Sequence, residues 1–260
     1  MNAGTIYFIE DAVHDFNDIE VQGGDARFFV APVGVYAWYI DRVRIIGGQV
    51  VFSHFDLPLF IDLLHVSDGD VQFLDLPNSI DIQSLILEGG VISFGALDEP
   101  LYFKNLVVNG SRVSFNTNWP VYIQNLVIDG PSVIDGNDAI YVNTSFVWYN
   151  GELSPYSLVL ESTTTADSYC NFCTIGSFGS IRTETNFVLH PQSYIEGLNE
   201  GSLVVASQGV LSVYDDVSLV TNTTAAPIKM IPSFHDLLLK ELLMSMVINF
   251  SLGFTLNILV

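Results

Sequence analysis

Positive charge is scarce in this chain. Its 260 residues include only 8 lysines and arginines against 29 aspartates and glutamates, which gives a formal net charge of −21. So few cations cannot form a basic patch that neutralises a phosphate backbone, and nucleic-acid binding is therefore excluded. Attraction to an anionic membrane surface is disfavoured for the same reason.

Cysteine and targeting signals are also scarce. Cys170 and Cys173 are the two cysteines, too few for a disulfide framework. Their spacing is that of a redox motif, but no βαβ pattern surrounds them, so we expect either two ordinary thiols or one local disulfide. Residues 1–7 carry no basic segment and no apolar run, so no signal peptide is visible there.

Apolar residues, in contrast, are abundant. They make up 49% of the chain, with 18 phenylalanines and 11 tyrosines, and the mean hydropathy is +0.41. A disordered acidic chain would lack these residues, and the material for a sizeable core is present.

Glycines that follow apolar runs recur at a nearly constant interval. The intervals between them are 21, 21, 20, 20 and 21 residues, from Gly48 through Gly69, Gly90, Gly110 and Gly130 to Gly151. Apolar columns share this period, and one of them consists of Phe52, Phe73, Phe94 and Phe115. Within each repeat the apolar positions alternate with polar ones, as they do along a strand with one buried side.

This pattern predicts an all-β parallel β-helix, a solenoid with about 20–21 residues per turn that covers residues 1–225. Helical repeats need a longer period, a leucine-rich repeat needs its asparagine signature, and a β-sandwich would not keep columns in register over five intervals. Gly4 already falls in the repeat register, which favours a fragment of a longer chain.

The coils Gly-Gly-Xaa-Val-Xaa-Phe and Leu-Xaa-Ile-Xaa-Gly resemble those of the right-handed parallel β-helix (pectin-lyase-like) superfamily, including secreted surface proteins and adhesin passengers. The resemblance extends loosely over residues 4–220 and is one of fold. It implies an extracellular or cell-surface location, and it implies little about activity.

Outward positions of the first strand of each turn carry aromatic residues. Tyr102, Tyr122 and Tyr141 should lie side by side, with Lys104 and Gln124 beside them. Aromatic rings next to amides are typical of glycan binding. The alternative is that tyrosine is simply favoured on half-exposed strands.

A second outward column is apolar and consists of Ile86, Val107, Val127 and Val147. A contiguous apolar patch on a surface suggests a partner. We expect this column to be covered by another segment or to mediate self-association, rather than to bind a small ligand.

Candidate catalytic residues are few. Asp135 and Asp138 form the best carboxylate pair for a glycosidase, and Asp135 is expected where the phenylalanine column would continue. The Gly-His-Gly and Arg-Xaa-Lys motifs of the polygalacturonases in the superfamily do not follow, and a tight Asp-Gly corner is the structural alternative.

The chain shows no recognised cofactor motif, and none of its five histidines has the spacing of a metal ligand. Acidic corners could bind Ca²⁺ weakly, although solvated surface acids are the ordinary interpretation. These corners are Asp68/Asp70, Asp98/Glu99 and Asp215/Asp216.

Residues 226–260 depart from the repeat. The segment 237–248 has a helical pattern, and residues 242–260 carry no charge, which is close to transmembrane length. Alternation from Ile248 to Val260 instead suits a strand. A short capping helix with a strand, a membrane anchor and a removed lipid-anchor signal are therefore the open interpretations.

The function expected from these observations is that of a non-enzymatic extracellular or cell-surface module for adhesion, through glycan binding or self-association. The alternative is a polysaccharide lyase or hydrolase of the pectin-lyase-like superfamily. Asp135 and Asp138 would then be its catalytic residues.

Overall fold

The computed structural model describes residues 4–5, 14–28, 37–53, 58–74, 80–97, 99–198, 201–214 and 217–221. Every secondary-structure element in these ranges is a strand, and every registered strand pair is parallel. The strands are β1 (Gly4–Thr5), β2 (His14–Gln22), β3 (Asp25–Phe28), β4 (Trp38–Ile46), β5 (Gln49–Ser53), β6 (Leu59–Ser67), β7 (Asp70–Leu74), β8 (Ile80–Glu88), β9 (Val91–Phe94), β10 (Leu101–Asn109), β11 (Arg112–Phe115), β12 (Val121–Asp129), β13 (Val133–Trp148), β14 (Gly151–Leu160), β15 (Thr165–Ser168), β16 (Cys173–Ile175), β17 (Ser180–Thr183), β18 (Asn186–Leu189), β19 (Tyr194–Gly197), β20 (Ser202–Val205), β21 (Val210–Val213) and β22 (Ser218–Thr221).

Each turn of the solenoid has three faces. In the turn of β10 and β11 the first face is 101–103, the second is 105–109 and the third is 112–115. Phe103 and Leu106 are three positions apart, so on a straight strand their side chains would point to opposite sides. Both are buried, and the strand therefore bends between the first two faces. In later turns this bend separates two strands, such as β17 and β18. The predicted all-β parallel solenoid is confirmed.

The length of a turn is not uniform along the solenoid. The step along the chain from Ala26 to its register partner Val50 is longer than the step from Ile134 to its partner Leu153. Much of the variation lies in the corner that joins the third face to the first, which is 116–120 in one turn and only 137–139 in the next. These corners change length while the strands keep their register.

The core consists of side-chain ladders along the solenoid axis. Phe52, Phe73, Phe94 and Phe115 are buried, and their rings stack with centroids 4.7, 4.9 and 5.4 Å apart. Fully burying such a side chain contributes roughly 1.5–3 kcal/mol. The predicted ladder is therefore a main source of the stability of the central turns.

Polar ladders satisfy the corners. At the bend between the first and second faces, Asn105 donates to Ser84 Oγ (3.0 Å), Asn125 donates to Asn105 Oδ1 (3.0 Å), and the Ser145 hydroxyl donates to Asn125 Oδ1 (2.9 Å). At the next corner the Ser111 hydroxyl accepts from the amides of Gly89 and Gly90. The polar side chains of these two corners thus find partners one turn away.

Cys170 and Cys173 form a disulfide at the corner between β15 and β16, with their Cα atoms 5.5 Å apart. Of the two alternatives left open by the sequence, the local disulfide is the one present. Both cysteines are buried, so the bond fixes this corner from inside the core.

The predicted C-terminal unit, residues 226–260, lies outside the described residues. Its short helix, its hydrophobic tail and the proposed membrane attachment through residues 242–260 therefore remain predictions. Among the residues that the structure does describe, no helix is long and apolar enough to cross a membrane.

Candidate functional site

The predicted tyrosines form a continuous row on the first face. Tyr102 pairs with Tyr122, and Tyr122 pairs with Tyr141, in the parallel register of β10, β12 and β13. Their rings stack with centroids 5.1 and 5.3 Å apart and with interplanar angles of 11° and 18°. We call these three residues the tyrosine row.

The rings of the tyrosine row cover one another's faces. Stacked rings that follow the solenoid axis turn their faces along that axis and their edges outward. Since the phenol oxygen lies at such an edge, the row presents hydroxyl groups rather than open ring faces. Only a terminal ring such as Tyr102, which is exposed, can offer a face to a ligand.

Polar side chains flank the row, as predicted. Lys104 and Gln124 are exposed and lie two positions beyond Tyr102 and Tyr122 on the same strands. The backbone carbonyl of Lys104 accepts from Asn125 Nδ2 at 3.2 Å, which ties its strand to the next turn. The structure thus places Tyr102, Tyr122 and Tyr141 on the first face, with Lys104 and Gln124 at the bend that follows it.

The central phenol of the row has a perturbed pKa. Desolvation by its neighbours raises the pKa of Tyr122 above its usual value of 10.0. The adjacent phenols of Tyr102 and Tyr141 raise that pKa further, followed by Glu161 and Asp138. At neutral pH the Tyr122 hydroxyl is therefore a neutral hydrogen-bonding group.

The aromatic column extends beyond the tyrosine row. Tyr39 and Phe60 stack with centroids 4.7 Å apart and an interplanar angle of 7°. Phe60 pairs with Asp81, and Asp81 pairs with Tyr102. A single carboxylate therefore interrupts a column of outward rings.

The predicted apolar column lies on the second face. Ile86, Val107, Val127 and Val147 are consecutive register partners, and all four are half-buried. We call them the apolar stripe. Its place in the fold is as expected, and its role as a covered or self-associating surface remains a prediction.

Asp135 and Asp138 occupy different surroundings from those expected. Gly136, not Asp135, lies opposite Phe115 in the register, so the prediction that Asp135 interrupts the phenylalanine column was wrong by one position. Asp135 faces outward beside Ser114 and forms an ion pair with Arg112. Asp138 accepts from the amide of Ala139 at 2.7 Å.

Asp138 lies in the short corner 137–139, and this corner is part of a continuous strand that also contains Asp135. β13 runs through both, with a register shift against β14 between Gly136 and Ala139. Such a bulge adds a residue to one strand and bends it. The contacts of Asp135 and Asp138 therefore fit the local geometry of this bulge.

A second aromatic ladder was not predicted from the sequence. Tyr149 stacks on Tyr169 (5.4 Å), Tyr169 on His190 (4.0 Å) and His190 on Tyr214 (5.7 Å), at the corner that follows the second face. We call these four residues the corner ladder. The signal was present as a column, but its steps along the chain are unequal, which hides it from a search at a fixed period.

Weak Ca²⁺ binding at the acidic corners remains a prediction. Asp70 accepts from Gln49 Nε2 at 3.3 Å and from Gln72 Nε2 at 3.2 Å. Asp98, Asp215 and Asp216 lie outside the described residues. Within the described part of the chain, no group of three or more His, Cys, Asp or Glu side chains could hold a metal ion.

Comparison of the chain with protein-family models, with curated proteins and with solved structures found no match. The class of protein therefore follows from the fold alone. It is an all-parallel β-solenoid, compatible with a β-helix.

Proposed function

We propose that the protein is a non-enzymatic adhesion module of the extracellular space or cell surface, and that it binds an extended polysaccharide along the tyrosine row. The observation that carries this proposal is the stacking of Tyr102, Tyr122 and Tyr141 on an exposed face. The resemblance of the coils to pectin-lyase-like surface proteins points in the same direction.

The geometry defines how such a ligand would be recognised. An extended glycan repeats its hydroxyl groups along one direction, and the tyrosine row repeats its phenol groups along the solenoid axis. Lys104 and Gln124 add a cationic donor and an amide beside the row. Recognition would therefore rest on hydrogen bonds to ring edges, with apolar contact at the ends of the row.

The proposed location has independent support from the Cys170–Cys173 disulfide. Disulfides form and persist in oxidising compartments and are rare in the cytosol. A buried disulfide at a corner of the solenoid is consistent with a secreted or surface protein.

Binding to immobilised polysaccharides tests the function. The double variant Tyr102→Ala/Tyr122→Ala should bind at least about tenfold more weakly than the unchanged protein, because each ring of a binding row contributes roughly a kcal/mol or more. Tyr156→Ala is the matched control, since Tyr156 is 70% exposed and lies outside the row. Both variants should keep the circular-dichroism spectrum of the unchanged protein.

Two outcomes would contradict the proposal. If the double variant binds as well as the control, the tyrosine row is not the binding surface. If the bound polysaccharide is cut, with reducing ends released and that release lost in Asp138→Asn, the lyase or hydrolase alternative replaces the non-enzymatic one.

A further inference from the structure

The aromatic column of the first face contains a gap one strand wide. Asp81 lies between Phe60 and Tyr102 in the parallel register. Phe60 has one face covered by Tyr39, at 4.7 Å and 7°, and Tyr102 has one face covered by Tyr122, at 5.1 Å and 11°. The other faces of Phe60 and Tyr102 therefore turn toward each other across Asp81. We call this space the Asp81 slot.

The width of the slot selects the shape of its occupant. Neighbouring strands lie about 4.8 Å apart, so the two ring walls are separated by roughly 9.6 Å. A flat group stacks at about 3.5 Å from a ring and would touch only one wall. A saturated ring or a tetrahedral ammonium centred in the slot lies about 4.8 Å from both rings, within the range of about 6 Å for a cation–π contact.

The charge of the slot selects a cation. Asp81 Oδ1 accepts from Gln83 Nε2 at 2.8 Å, and no other side-chain hydrogen bond to Asp81 joins it to the described residues. Both ring faces present their negative quadrupole to the same space as this carboxylate. Lys104 lies two positions beyond Tyr102 but is exposed, so water and salt screen its charge. The net charge of −21 adds a long-range attraction for cations.

We propose that the Asp81 slot binds an amino-sugar unit with a free ammonium group, within a glycan that continues along the tyrosine row. The saturated sugar ring fills the space between Phe60 and Tyr102, the ammonium group donates to Asp81, and a sugar hydroxyl bonds Gln83. This inference rests on the proposed function and narrows its ligand to a de-N-acetylated, polycationic glycan.

The experiment compares two oligosaccharides of equal length, a chitosan hexamer with free amines and a chitin hexamer with acetylated ones. Titration calorimetry on the full chain at low salt should give roughly tenfold tighter binding of the chitosan hexamer, the value of a charge-assisted hydrogen bond. Asp81→Asn keeps the shape of the side chain and should remove most of this preference, leaving only the part that the net charge of the protein supplies. Asp62→Asn removes the same charge from an exposed neighbouring position and should retain it.

A second variant distinguishes the contribution of the two rings to binding from the contribution of Asp81. Phe60→Leu keeps an apolar residue but removes one ring. It should weaken binding of the chitosan hexamer severalfold, while the chitosan hexamer still binds more tightly than the chitin hexamer. Circular dichroism of each variant establishes that the solenoid is intact.

Three results would overturn the inference. The first is equal binding of both hexamers by the unchanged protein, and the second is an equal loss in Asp62→Asn and Asp81→Asn. The third is displacement of the chitosan hexamer by hexalysine at the same concentration, which would make the occupant a basic peptide. If neutral glycans still bind and this binding depends on Tyr122, only the proposal for the Asp81 slot is refuted. If no glycan binds at all, the proposed function is refuted as well.

Discussion

Ser168 lies directly opposite Trp148 in the parallel register of the second face, and both side chains are completely buried. Neither Trp148 Nε1 nor Ser168 Oγ has a hydrogen-bond partner among the described residues. Leaving a buried polar atom unpaired costs about 1–3 kcal/mol, so this pair is a weak point in the core.

Ser168→Ala should therefore leave the free energy of unfolding unchanged or raise it by up to about 1–2 kcal/mol, because it removes an unpaired hydroxyl. Urea denaturation measures the change as a shift of the midpoint. Ser193→Ala is the matched control. The Ser193 hydroxyl is buried and donates to the Ser168 carbonyl at 3.1 Å, so its loss should cost about 1 kcal/mol. Equal losses in the two variants would show that Ser168 Oγ is satisfied after all.

Two glycines at the same corner of successive turns should differ in their tolerance of substitution by alanine. Both Gly23 and Gly48 have positive φ, at +62° and +85°, where a Cβ costs about 1–2 kcal/mol. At Gly48 an added Cβ would also collide with the backbone carbonyl of Gly24, whereas at Gly23 it meets none of the described atoms within 4 Å. Gly48→Ala should thus lower the midpoint of thermal unfolding clearly more than Gly23→Ala. A larger effect at Gly23 would refute this packing.

Alkaline pH should destabilise the fold through Tyr122. Its pKa is raised in the folded protein above the ordinary 10.0, so the neutral phenol is favoured by folding. This contribution is fully present below pH 10.0 and is lost as the pH rises toward the folded pKa, because the unfolded chain ionises first. Tyr122→Phe removes this loss.

The measurement is the free energy of unfolding between pH 8 and pH 11, together with the tyrosinate absorbance near 295 nm. The difference between the unchanged protein and Tyr122→Phe should be constant below pH 9 and should shift in favour of the variant above pH 10. A difference that stays constant over the whole range would contradict the raised pKa.

Self-association through the apolar stripe has a direct test. Val127→Arg places a charge in the middle of the stripe and should shift a self-associated wild-type protein toward the monomer in sedimentation-velocity experiments, because an apolar interface does not accept an unpaired charge. Asn116→Arg adds the same charge at an exposed corner and should have no effect. Identical sedimentation of the unchanged protein and Val127→Arg at every concentration would remove this role.

The sequence was most informative where the period is constant. The phenylalanine ladder and the tyrosine row could be predicted because their members recur at a nearly constant step and alternate with residues of opposite character. The corner ladder could not, because the step from His190 to Tyr214 is longer. The position of Asp135 was missed by one residue because the corner before it is one residue longer: Arg112 follows Gly110 by two positions, whereas its register partner Val133 follows Gly130 by three.

The orientation of the tyrosine rings was also beyond sequence analysis. A column of tyrosines indicates neighbours, but not whether their faces or their edges meet the solvent. The structure shows face-to-face stacking of Tyr102 and Tyr122, since strands about 4.8 Å apart bring like side chains to stacking distance. This is why Asp81, an interruption of the column, became more informative than the column itself.

The corners between the third and first faces can differ in length without changing the register of the strands that they join. Between Phe115 and Val121 the chain uses residues 116–120, and one turn later it passes from Gly136 to Ile140 with fewer residues, yet the strands on both sides stay paired. An insertion in a strand would instead turn its apolar side chains to the surface. These corners are therefore the natural attachment points at which a foreign loop or epitope could be grafted onto the rod without disturbing the turns above and below it.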